Sequence, residues 1–117
     1  MFPEAIAEAR RAKELSSVQT ISVAFEGYAL AKLGKRDEAR TALNGLLKLS
    51  QERFVPPYHI ALIYNGLGDH DQALAWLERG FEQRDPKMVF LKVEPKWNNL
   101  RNDPHFVDLM RRVGLSQ

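Results

Sequence analysis

Gly34-Lys35-Arg36-Asp37-Glu38-Ala39 and Gly68-Asp69-His70-Asp71-Gln72-Ala73 decide the fold: both read G-x-x-D-x-A, and they lie 34 residues apart. Leu33 and Leu67 precede them in step, and Leu43 and Leu77 follow in step. Self-similarity at such a period marks a stacked array of small helical units. Each glycine follows an apolar-periodic helix and can take the left-handed conformation that ends it. Ala39 and Ala73 then open a second helix with a small side chain. Their expected partners in the first helix of each pair are also small: Gly27 against the Ala39 turn and Ala61 against the Ala73 turn.

Helical periodicity agrees with this reading. Pro56–Leu67 gathers Ile60, Ala61, Ile63, Tyr64 and Leu67 on one face. Arg36–Leu49 gathers Ala39, Ala42, Leu43, Leu46 and Leu47, and His70–Gln83 gathers Ala73, Leu74, Trp76, Leu77 and Phe81. Pro56-Pro57 suits a first helical turn. No segment alternates as a strand would. One period before Ala39 lies Ala5, so Pro3–Leu15 reads as the second helix of a unit whose first helix is missing. That register leads us to expect the C-terminal end of a longer protein, with Ile6 exposed and either weak self-association through the cut end or fraying of residues 1–15. One period after Ala73 lies Val107, in a helix begun by Asp103-Pro104 and closed by Gly114. Between them, Pro86–Leu100 is irregular. Met88–Lys92 is expected as a short helix, with Trp97 and Leu100 packing down as a plug. The expected architecture is all-α: 1–17 the second helix of a truncated repeat, 18–52 repeat one, 53–86 repeat two, and 87–117 a degenerate terminal repeat.

The period and the hairpins resemble the tetratricopeptide repeat (TPR), whose helix pairs stack into a superhelical solenoid. Val55-Pro-Pro-Tyr-His-Ile-Ala-Leu-Ile-Tyr64, Leu67-Gly-Asp69 and Arg84-Asp-Pro86 look like the last full repeat of certain bacterial multidomain regulators. Leu91-Lys-Val-Glu-Pro95, Trp97, Leu100-Arg-Asn-Asp-Pro-His-Phe106 and Leu115 are similar to the tail that follows it. Such tails end proteins that carry a winged-helix, nucleotide-cyclase or kinase domain, which is a context the resemblance alone implies. One position departs from the pattern. Where repeat two has Ile60, repeat one has Glu26, so either Glu26 meets a basic neighbour or that helix is rotated.

Composition and motifs narrow the function. With 44% hydrophobic and 27% charged residues the chain is of ordinary globular type. A net charge of +2 is too mild for a nucleic-acid face, and Arg10-Arg11 and Arg111-Arg112 read as solvated helix faces. There is no cysteine, hence neither a disulfide nor a thiol nucleophile. The start lacks the pattern of a signal peptide, and no apolar run approaches the ~18 residues of a membrane span. A cytoplasmic location is expected. His59, His70 and His105 form no metal-ligand spacing and read as surface or groove histidines. Ser16, Ser17 and Ser50 read as caps rather than nucleophiles, and Asp37 and Asp71 as first-turn residues. Trp76 reads as core. No phosphate-binding glycine motif is present. We therefore expect no catalytic, cofactor or metal site.

The resemblance implies a concave groove lined by Ile21, Ala24, Tyr28, Ala31 and Lys32, then by Val55, Tyr58, Leu62, Asn65 and Gly66. Tyr28, Lys32, Tyr58, Leu62 and Asn65 are the expected contacts for an extended peptide or helix. The alternative is that this surface packs on another domain of the parent chain. A chaperone-type carboxylate clamp is excluded, because that subtype carries lysine and asparagine where this chain has Ala24, Tyr28 and His59. The register itself is testable. Ala73→Leu should overpack the second hairpin and cost about 1–3 kcal/mol, read as a lower denaturation midpoint. An unchanged midpoint would count against the register.

Overall fold

The computed structural model describes residues 17–115. The helix expected over Pro3–Leu15, and the self-association expected through it, lie outside the described residues. The observed elements are α1 (Ser17–Lys32), α2 (Arg36–Ser50), α3 (Pro57–Gly66) and α4 (His70–Glu82). Two 3₁₀ helices follow, Pro86–Lys92 and Pro95–Leu100, and then α5 (Pro104–Leu115). No strand occurs among the described residues. The chain is an all-α helical repeat. The outer helices α2, α4 and α5 begin at Arg36, His70 and Pro104, each one period from the last. α1 packs against both α2 and α3, α3 against α4, and α4 against α5.

Three helix exits share one backbone solution. Gly34 and Gly68 have φ of 84° and 82°, and Arg84 has φ of 57°. In each case the left-handed residue's N–H returns to the carbonyl three residues back. The next N–H returns five residues, from Lys35 to Leu30, from Asp69 to Tyr64, and from Asp85 to Gly80. This is the Schellman motif, which satisfies carbonyls that a helix end leaves unpaired. Arg84 accepts the conformation without glycine's freedom.

The hairpin contacts differ in detail from the sequence expectation. A Cβ at Gly27 would fall 2.8 Å from Ile63 Cδ1 and 3.3 Å from the Ala42 Cβ, so these rather than Ala39 are its nearest neighbours. Gly27 thus lets α1 approach α2 and α3 together. Ala39, Ala61 and Ala73 are all fully buried. Glu26, the departure noted above, is exposed to solvent. Trp76 is only partly buried, with the Arg79 guanidinium 4.3 Å above its ring. α5 runs through Gly114 to Leu115 rather than stopping at the glycine. Arg112 is not simply solvated either. It pairs with Glu78 on α4 and, within α5, with Asp108, while His105 Nε2 lies 2.9 Å from Glu78, so Arg112 and His105 tie α5 to α4 through Glu78. The Arg112 guanidinium, more than any other neighbour, holds the Glu78 carboxyl below its ordinary range.

An acidic residue before proline starts each of the last three elements. Asp85 accepts from Lys87 N–H at 2.9 Å, Glu94 from Lys96 N–H at 3.3 Å, and Asp103 from His105 N–H at 2.8 Å. Proline fixes φ for the first turn while the carboxylate takes up a free donor. The recurrence of proline at 86 and 95 breaks this stretch into two short 3₁₀ turns instead of one α-helix. Among the outer helices, α4 is capped by Asp69, whose carboxylate accepts from Gln72 N–H, and α5 has Asp103 in the same place. α2 has Lys35 there, with no side-chain cap bond. Lys35→Asp should supply that bond and favour the helix dipole, raising stability by about 0.5–1 kcal/mol in urea unfolding at unchanged slope. No gain would mean that α2's first turn does not match α4's.

Candidate interaction surface

Tyr58, Leu62 and Asn65 fall on one side of α3, at i, i+4 and i+7. The structure does not leave this side open. All three are buried, and the two 3₁₀ helices meet Tyr58 through Phe90 and Trp97 and Asn65 through Lys96 and Asn99. Trp97 is fully buried, and its indole Nε1 donates to the Tyr58 hydroxyl at 2.9 Å, with the rings edge to face at 5.5 Å. Such aromatic contacts add specific geometry to a large buried area. Burial, above all, pushes the Tyr58 phenol up to about 12, so it stays protonated. Beyond Trp97 the stack continues to the buried Phe106 of α5, 6.1 Å away. The plug expected from Trp97 and Leu100 is therefore present, and both side chains are buried.

Asn65 is hydrogen-bonded to this plug. Its amide donates to Lys96 O at 2.8 Å and to Asn99 Oδ1 at 3.1 Å. Asn99 Nδ2 returns a bond to Asn65 Oδ1 at 2.8 Å and lies 3.3 Å from His70 Nε2. Asn99 stands one period after Asn65, so the pair forms a rung between corresponding positions of adjacent units. The plug is itself clasped by Arg101, which donates to the carbonyls of Leu91 and Glu94 at 2.8 Å each. Asp85 pins the other end. Its second oxygen accepts from Tyr58 N–H at 3.1 Å, capping α3 where Pro56 offers no side-chain cap. Burial raises the Asp85 carboxyl's pKa in spite of these bonds.

Tyr28 and Lys32 remain accessible, Tyr28 half-buried and Lys32 exposed. The Tyr28 ring and backbone rest on Gly66, where a Cβ would fall 3.0 Å from the ring and 3.2 Å from the Tyr28 Cα. The Lys32 ammonium lies 5.6 Å from the Tyr28 ring centre. The Lys96 ammonium lies 4.6 Å from the Phe25 ring and 5.5 Å from the Tyr28 ring, and 3.3 Å from Glu94. Ammonium groups over aromatic faces are held by the ring quadrupole. The sequence reading missed Phe25, Glu94 and Lys96. Trp97 and Leu100 marked the plug, but no local signal says that Lys96, on the same 3₁₀ helix, reaches back to α1. Of the remaining expected groove residues, Ala24, Ala31 and Val55 are buried and Ile21 is half-buried.

Residues 58–84 match the tetratricopeptide repeat family model. The segment is similar to a single TPR. The match runs from the first turn of α3 to the left-handed Arg84 and supports reading the chain as a TPR protein. No curated protein and no solved structure matches the chain. Among the described residues no helix is long and apolar enough to cross a membrane, and no three histidine or carboxylate side chains gather as a metal site requires.

His59 of α3, expected at the surface or in the groove, is fully buried. Its Nδ1 lies 2.8 Å from Thr20 Oγ1 on α1, while Nε2 has no hydrogen-bond partner. Burial lowers its pKa to about 4, with the Lys87 ammonium adding to the effect. The unfolded chain takes up this proton near pH 6.5, the folded chain only near pH 4. His59 therefore contributes stability that is full above pH 6.5 and is lost as pH falls towards 4, by roughly 3 kcal/mol at most. Asp85 has the opposite sign: its raised pKa means that acidification through it relieves a cost. Urea unfolding of the wild type should weaken over pH 6.5–4, and His59→Gln should flatten that slope. An equal slope in the variant would show that His59 is already charged in the fold.

Proposed function

We propose that this chain is a non-catalytic protein-interaction module whose accessible contact surface is the concave side of its first repeat. Tyr28 and Lys32 form that surface with Phe25 and Lys96. The TPR match supports a protein-interaction role, since such arrays present extended surfaces for polypeptides. One observation carries the placement. The inner face of repeat two is sealed by the chain's own 3₁₀ helices, whereas Phe25 of repeat one keeps 40% of its surface exposed. An aromatic side chain with few rotors offers binding area at low entropic cost. Tyr58, Leu62 and Asn65 then serve the partner indirectly, by fixing the plug that carries Lys96.

A second reading has its own support. Because the chain covers half of its inner face with its own residues, the other half can be covered the same way, by another domain of a larger signalling or transcription-regulatory protein. Tyr28→Ser and Lys32→Glu, each in the full-length parent, separate the two. If a specific partner is lost by cross-linking while the melting temperature holds, the intermolecular role stands. An unchanged partner set with a lowered melting temperature would assign these residues to packing inside the parent protein.

A further inference from the structure

The open strip of the concave side is rich in donors and poor in acceptors. Lys32 and Lys96 each present an ammonium group beside the Tyr28 ring. The Tyr28 hydroxyl keeps its proton, because burial and then the Glu94 carboxylate raise its pKa. The nearby acceptor, Glu94, is engaged by both the backbone N–H and the ammonium of Lys96, at 3.3 Å each. The amide that would read a peptide backbone is also spent: Asn65 is bound to Lys96 O and Asn99, and its counterpart one period earlier is the buried Ala31. What remains is the exposed Lys32 ammonium over the Tyr28 ring, the Tyr28 phenol, and the Lys96 ammonium, shared with Glu94, over the exposed Phe25 ring.

We propose that the partner brings an acidic segment to this strip. Its side-chain carboxylates meet Lys32 and Lys96, and an adjoining apolar side chain covers Phe25. The proposal rests on the concave-side reading above and names the chemistry of its ligand. A protein segment fits better than a nucleic acid. Phosphodiester binding relies on many neutralising contacts, whereas here Glu94 lies beside one of the two ammonium groups and the exposed Glu26 follows Phe25 in the chain. Charge matching of this kind acts mainly on the association rate and weakens with salt.

The test uses short fluorescein-labelled peptides of Asp and Glu around one Phe, read by anisotropy on the whole chain. Three comparison probes are needed: the same peptide with Asn and Gln for its acids, the same with Lys for its acids, and a single-stranded oligodeoxynucleotide. The acidic peptide is expected to bind about tenfold tighter than its amide counterpart at low salt, with the gap closing as salt rises. Lys32→Glu should erase the gap without changing the melting temperature, because Lys32 is exposed. Equal binding of the amide or lysine peptides, tighter binding of the oligonucleotide, or binding of none of the probes overturns the proposal. If the amide peptide binds equally well and Tyr28→Ser abolishes binding, the acidic partner falls while the concave site stands. If the acid preference survives both Tyr28→Ser and Lys32→Glu, the acidic ligand sits elsewhere and the proposal falls with the site.

Discussion

The buried bond from the Trp97 indole to the Tyr58 hydroxyl is the contact on which the inner face of this molecule depends. An indole and a phenol at the centre of a core each carry a polar atom that must be satisfied, and here each satisfies the other. The bond places a 3₁₀ segment where a regular array would place another first helix. Phe106, stacked beyond Trp97, extends the same core into α5. The Asn65–Asn99 pair and the Arg101 clasp depend on that placement, since their partners are backbone carbonyls and side chains of the plug.

The plug makes two successive repeats unequal. Both share a period, a glycine-ended first helix and a buried alanine, yet one inner face is closed and the other open. The closure is too deeply packed to act as a lid: Trp97, Leu91 and Leu100 are buried with the core of α3. It also projects Lys96 across repeat two to the rings of α1. The accessible surface is thus composite, built from the first repeat and from residues about seventy positions later. Such a surface exists only while the terminal segment holds Lys96 against the rings of α1.

Much of this was legible along the chain. Helix starts at 36, 70 and 104 follow from the 34-residue register, and Gly34 and Gly68 take the positive φ that their place after an apolar helix demands. The plug was foreseen from Trp97 and Leu100, because large apolar residues between prolines have to be buried somewhere. The left-handed Arg84 was not foreseen, as nothing in arginine advertises that conformation. Nor was the burial of His59. Lacking any metal-ligand spacing, it reads as a surface or groove histidine, whereas in the fold α1 comes close enough to set Thr20 Oγ1 2.8 Å from its Nδ1.

Local periodicity, small residues at fixed phase and proline after an acid are properties of neighbouring residues, so the sequence by itself determined the helices, their order and their repeat. Which inner positions face solvent is a different kind of fact. Tyr58, Leu62 and Asn65 have the spacing of groove residues, and Tyr28 and Lys32 have it too. The tertiary structure alone separates them, because whether a helix face is open depends on what a segment some thirty residues further along the chain does with its own apolar side chains. The outcome is decided by non-local burial. Covering α3 with Trp97 and Leu91 removes apolar area from water, and Tyr58 and Asn65 find hydrogen-bond partners within the same cover.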